Sequence, residues 1–416
     1  MQIMKLRKLH LVIVLSLISA LIQAQTYSTL IKGGHVIDPK NNINELMDVG
    51  ISNGKIALVA KNISETEAKQ VINAKGMYVT PGIIDLHVHV YYGTKMDQGL
   101  MNGPSSVAPD PFSFRAGVTT VVDAGSAGWR TFPDFKRQTI DNSQTRVLAF
   151  LNIVGEGMRG GPFEQTTLDM DARRAAQCAK EYAPDIVGIK LAHYSGHEWG
   201  PTDSTVRAGV LADMPVMIDF GSADPPLSIE ELFMKRLRPG DIWTHAYAYF
   251  PKTREALTDE NGKVKPFVFE AQKRGIIFDV GHGGGSFRWN VAVPSVQQGF
   301  IADAISSDLH TGSMNSGFKD MANLMSKFLA LGLPLHDVIY RSTWKPALII
   351  KRPDLGNLSV GSEADVAVFS LSQGNYGFLD ISGLKLKGTQ KLTAELTLRA
   401  GRVVWDLNGI AAREYK

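Results

Sequence analysis

Two histidines, His87 and His89, stand two residues apart at the end of the apolar run "GIIDLHVHV". In a strand, residues two apart face the same way, so both imidazoles point to one side. Neutral imidazoles so placed can grip one cation, with nitrogen and oxygen ligands about 2.0–2.2 Å from a zinc ion. A lone buried histidine is more often a core residue. This pair is followed by further ligand-type residues at the ends of later apolar runs, which favours a metal. Those residues are Asp123, Lys190, Asp219, His245, His282 and Asp308.

Lys190 ends "DIVGIK". Burial disfavours an ammonium and lowers its pKa. A neutral amine can take up carbon dioxide as a carbamate, whose two oxygens can bridge two metal ions. The alternative is a lysine that reaches solvent or pairs with Asp219. Beside the histidine pair, the carbamate is the preferred reading. His245, in "WTHAYA", is the natural ligand for a second metal. Asp308, in "AISSDLHT", offers a carboxylate for metal binding and proton transfer; its alternative is a helix N-cap.

These residues need a scaffold that brings separate segments to one mouth. Between Pro81 and Pro346, eight apolar runs of strand length alternate with amphipathic segments. That rhythm predicts parallel βα units and an α/β fold, a (β/α)8 TIM barrel with its chemistry at the carboxyl ends of the strands. An open doubly wound sheet is the competing arrangement. The flanking segments, residues 25–80 and 347–416, read as short strands with glycine turns, "ISNGKI" being a hairpin signal. They predict a small β-sandwich domain built from both ends of the chain around the barrel at 81–346.

The first 24 residues carry Lys5, Arg7 and Lys8 ahead of a short apolar stretch and a small-residue site at Ala24. This is the pattern of a secretory signal peptide, so the protein is expected to be secreted, to the bacterial periplasm. Removing it takes the formal charge of +3 to zero. Nothing in that balance calls for nucleic acid or, once the leader is gone, a membrane. The partner expected is a small acylated molecule, with self-association into a homo-oligomer left open. The single cysteine, Cys178, lies in "DARRAAQCAKEYA", a predicted helix with an alanine face, where it reads as a small apolar residue. No internal disulfide can form, so stability must come from the core.

"PGIIDLHVH", "GIK", "THAYA", "DVGHGGGSF" and "SSDLHTGS" together resemble the amidohydrolase superfamily of metal-dependent hydrolases, and most of all its deacetylase-like branch, which acts on N-acyl amino acids and acetylated hydroxy acids. "GNLSVGSEADVAVFS" resembles the returning β-domain segment, so the likeness runs from about residue 28 to the end. It implies one metal on His87, His89, carboxylated Lys190 and Asp308, and a second on Lys190, a fifth-strand histidine and His245. Two Zn2+ ions bridged by Lys190 are the expected cofactors. Here the fifth run reads "VMIDFG", with Asp219 where the family has histidine. Aspartate can ligate through oxygen, so Asp219 is taken as the ligand; a single-metal site or ligation by His193 are the alternatives. The expected reaction is hydrolysis of an amide or ester of a small acylated acid by a metal-bridging hydroxide, with Asp308 as general acid and base. A cyclic amidase of the dihydroorotase or hydantoinase kind, or a metal-free binding protein on a degenerate barrel, are the rivals. His282, in "GHGGGSF", and Arg159, in "GEGMRGGPFE", are candidates to meet the substrate, Arg159 through a carboxylate; the alternatives are a solvent-exposed turn histidine and a solvated surface arginine.

Overall fold

Alternating polar and apolar residues near the N-terminus form five strands: β1 (Thr29–Asp38), β2 (Ile43–Ser52), β3 (Lys55–Ala60), β4 (Val71–Asn73) and β5 (Tyr78–Pro81). The computed structural model describes residues 26–93, 105–220 and 223–415, and the expected leader lies outside them. Asn53 and Gly54 both take positive φ, 51° and 74°, so the Asn-Gly pair turns β2 into β3 as its chemistry dictates.

Seven strands follow in the central region: β6 (Ile83–Val88), β7 (Val118–Gly128), β8 (Arg146–Asn152), β9 (Ile186–Tyr194), β10 (Val216–Phe220), β11 (Ile242–Trp243) and β12 (Ile277–Phe278). They pair in chain order and in parallel, forming one seven-stranded sheet. Every residue of β6 and β7 is buried, the property of a parallel sheet covered on both faces.

The eighth run, "AISSDLHT", is not a regular strand. Residues 304–309 nevertheless hydrogen-bond on both sides. Val280 N donates to Ala304 O at 3.0 Å, Gly283 N to Ser307 O at 2.9 Å, and His89 N to Leu309 O at 3.0 Å. The segment therefore links the end of β12 back to β6. Its irregularity has a local cause: Asp308 sits at φ 50°, outside any strand conformation.

Helices cross between the strands. In Ala172–Glu181, Asp171 caps the first turn by accepting from Arg173 N and Arg174 N, and the alanine face is buried together with Cys178. Burial pushes the Cys178 thiol up to about 12, so it stays an inert thiol.

After the barrel come β13 (Val366–Leu379), β14 (Lys385–Arg399) and β15 (Arg402–Asp406). β13 pairs antiparallel with β5, Val366 opposite Pro81, which joins the two ends of the chain. The two-layer sandwich expected there is instead one continuous eight-stranded sheet, ordered β15-β14-β13-β5-β1-β2-β3 with β4 beside β1. Val36, Val49, Ile51, Val79, Val366 and Leu396 share one core on it.

The β13–β14 hairpin is longer than its apolar pattern implied, because barrel side chains hold its far end. Trp289 Nε1 donates to Phe378 O at 3.2 Å. Lys327, fully buried in the helix Met321–Ala330, donates to Gly317 O at 2.7 Å and Leu379 O at 2.6 Å, and meets His282 Nε2 at 2.7 Å. Three ammonium donors thus match three acceptors. Lys327→Met should lower stability by about 2–4 kcal/mol, since buried acceptors lose their donor; the urea midpoint should fall at unchanged slope. Burial draws Lys327 down to about 7 from its ordinary 10.5. Between those values the unfolded chain binds more protons at this position than the folded one. The stability difference between wild type and Lys327→Met should therefore grow in favour of wild type as pH rises through that window.

Candidate active site

β6 delivers His87, and His89 follows it. His87 Nε2 lies 3.8 Å and His89 Nε2 3.1 Å from Asp308 Oδ1. The ligand atoms of these three buried residues all lie within 4.8 Å of one another. Burial and the neighbouring Lys190 charge push His87 down to about 3, so its ring is neutral. One ring nitrogen then carries the proton, and the surroundings show which. Thr244 Oγ1 donates to Asp279 Oδ2 at 2.7 Å, and so accepts from His87 Nδ1 at 2.9 Å. The bare Nε2 is left facing a carboxylate.

His245 repeats the arrangement. Its Nδ1 donates to Gly281 O at 2.6 Å, and its Nε2 lies 3.2 Å from Asp219 Oδ2. Either a second ring proton or a cation must lie between two such acceptors. His89 Nδ1 meets Ser126 Oγ at 3.2 Å. Asp123 accepts from Val90 N at 2.8 Å and Ser126 N at 2.7 Å, tying the chain beyond β6 to the end of β7. Burial alone would raise Asp308, but the His89 hydrogen bond and the surrounding imidazoles outweigh it and hold it well below the usual carboxylate range. The donor set is nitrogen and oxygen, the oxygen anionic, each imidazole turned by a partner on its far side. That chemistry fits a divalent cation such as zinc.

Lys190 lies in β9, fully buried; burial chiefly lowers its pKa, against the pull of Asp219, Asp308 and Asp279. Its Nζ meets Met217 Sδ at 3.5 Å, a weak acceptor for a buried amine. Gly125 makes room for it: at φ 95°, a Cβ there would come within 2.6 Å of Lys190 Cγ. Gly283 does the same for Asp308, where a Cβ would come within 2.2 Å of Oδ2. The glycines of "GHGGG" therefore include one that admits a site carboxylate. His193, His245 and Asp308 all take positive φ (53°, 58° and 50°). Each such residue costs about 1–3 kcal/mol, and such residues persist where a side chain must be aimed.

Asp219 is divided between two partners, Oδ1 to Arg254 Nη1 at 3.1 Å and Oδ2 to His245. His193 Nε2 is 4.0 Å from Asp219 Oδ2, and its Nδ1 meets Glu164 Oε2 at 2.8 Å. His282 does not open toward the mouth as expected. Its ring is fully buried, stacked on Phe287 at 4.5 Å, with Nε2 on Lys327. Arg159 pairs with Glu156 at 3.4 Å and lies over the Phe163 ring at 3.9 Å. His310 caps the turn Thr311–Met314 by accepting from Gly312 N. Thr244, Asp279, Glu164 and Arg254 escaped the reading of the sequence. Thr244 and Asp279 sit in the quoted runs and could have been found there; Arg254 lies in an irregular loop with no signal.

A parallel sheet that gathers histidines, a lysine and carboxylates at its carboxyl end defines an amidohydrolase-type hydrolase. A deacetylase of Agrobacterium fabrum is 33% identical over 341 residues, 79% of each chain. Among solved structures, an adenine deaminase superposes with TM-score 0.81 at 27% identity, over 91% of this chain and all of its own. A dihydroorotase superposes with TM-score 0.78 at 28% identity, over 91% of this chain and 99% of its own. No protein-family model matches. The chain belongs to the deacetylase branch of the amidohydrolase superfamily and is a hydrolase acting on carbon–nitrogen bonds.

Thr244→Val removes the group that holds the His87 tautomer. Divalent metal retention should weaken about 10–100-fold, read by chelator competition, with the far-UV circular dichroism unchanged.

Proposed function

We propose that this protein is a divalent-metal hydrolase on a closed (β/α)8 barrel that removes the acyl group from a small N-acyl or O-acyl acid. The observation that carries it is the buried cluster of His87, His89 and Asp308, whose ligand atoms all lie within 4.8 Å of one another, with His245 Nε2 3.2 Å from Asp219 Oδ2 beside it. His87, His89, Asp308 and Lys190 as a carbamate would hold one cation; Lys190, His245 and Asp219 would hold a second. Bound there, divalent cations acidify a water molecule and polarise the substrate carbonyl. Asp308, kept anionic by its imidazole neighbours, takes the proton of the attacking water and passes it to the departing nitrogen or oxygen as the acyl bond breaks. The likeness to the Agrobacterium deacetylase supports acyl removal. The likeness to a dihydroorotase supports a second reading, opening of a cyclic amide. Export to the periplasm is part of the proposal and rests on the N-terminal residues alone.

Metal analysis joined to a substrate screen tests this. Two equivalents of zinc and hydrolysis of N-acyl amino acids or acetylated hydroxy acids are expected; hydrolysis confined to rings would overturn the substrate class. Asp308→Asn should lower kcat by about 10²–10⁴-fold while the remaining ligands still retain metal. Full activity in that variant would exclude Asp308 as the proton carrier.

A further inference from the structure

Arg254 is an unusual neighbour for a cation site. It is 2% exposed, and its guanidinium cannot give up its proton. Its place is fixed on three sides: Nη1 on Asp219 Oδ1 at 3.1 Å, Nη2 on Thr244 O at 2.6 Å, and the ring of Trp243 4.4 Å away. A permanent positive charge so close to imidazole and carboxylate ligands opposes a divalent cation, unless it is cancelled. Asp219 cancels it. One carboxylate oxygen is spent on Arg254, and the other, Oδ2, faces His245 Nε2 at 3.2 Å. The pair carries no net charge yet still presents one oxygen lone pair to the site. Arg254 also grips the backbone carbonyl of Thr244, the residue that sets the His87 proton.

We infer that Arg254 is a positioning residue that fixes Asp219 as a one-oxygen, charge-cancelled ligand, and so sets how tightly the site holds a divalent cation. This rests on the metal-dependent reading above. Without Arg254, Asp219 would add an uncompensated negative charge; with a neutral ligand in place of Asp219, Arg254 would leave an uncompensated positive one.

The test is a double-mutant cycle on the full chain, read by zinc competition against a chromophoric chelator, with no activity assay involved. Arg254→Met should bind zinc at least about tenfold tighter than wild type, and Asp219→His at least about tenfold weaker. The double variant should return to within about threefold of wild type. Merely structural damage at Arg254 would loosen zinc, not tighten it, so the sign separates the two. Should Arg254→Met fail to fold, Asp219→His still tests the claim, and Arg254→Lys, which keeps the charge, should stay within about threefold of wild type. Wild-type zinc binding with Asp219→His unaffected, or with Arg254→Met weakened, would overturn the inference and leave the metal reading standing. Absence of zinc binding by wild type itself would overturn both.

Discussion

Lone pairs that face each other across a buried space are the constraint on which this site depends. His87 and His245 each spend their Nδ1 proton on a neighbour, Thr244 and Gly281 O, and turn Nε2 toward a carboxylate. In water such acceptors would be solvated. In a buried pocket the field between them is strong, and only a positive charge relieves it. Arg254, held on Asp219 Oδ1 and the Thr244 carbonyl, is the permanent positive charge nearest to it.

That arrangement explains why the barrel is least regular where it matters most. β11 and β12 are two residues long each, and the eighth stave is not a strand at all. Regular pairing would alternate side chains in and out at fixed intervals. Residues at positive φ, His245 and Asp308 among them, break the ladder and re-aim their side chains inward. The missing Cβ atoms of Gly125 and Gly283 clear the space into which Lys190 and Asp308 extend. The strain is held by what surrounds it: the buried β6 and β7 on one side and the network of Ser306, Asp279 and Thr244 on the other.

Much of this was legible beforehand for a definite reason. Parallel strands are buried on both faces, so they read as continuous apolar runs, and ligand residues placed at their ends stand out by contrast. His87, His89, His245 and Asp308 stand out in this way, and the structure brings them together, with Lys190 buried on β9. His282 has the same surroundings in the sequence, at the end of an apolar run and among glycines. The fold turns it onto Phe287 and Lys327 instead. Nothing local distinguishes it from His245, because the direction a side chain takes after an irregular residue depends on what it packs against.

The amino-acid order by itself determined the parallel strands, the hairpin at Asn53–Gly54, the alanine-faced helix around Cys178 and the set of candidate ligands. Each of these follows from local periodicity or from the conformational freedom of one or two residues. The tertiary structure decided which nitrogen of His87 carries the proton, that the two ends of the chain form one sheet where two layers were expected, and that Asp219 is shared between His245 and Arg254. Those depend on contacts between residues far apart in the chain, and the energy of a buried charge is set by everything around it, whatever its position in the sequence.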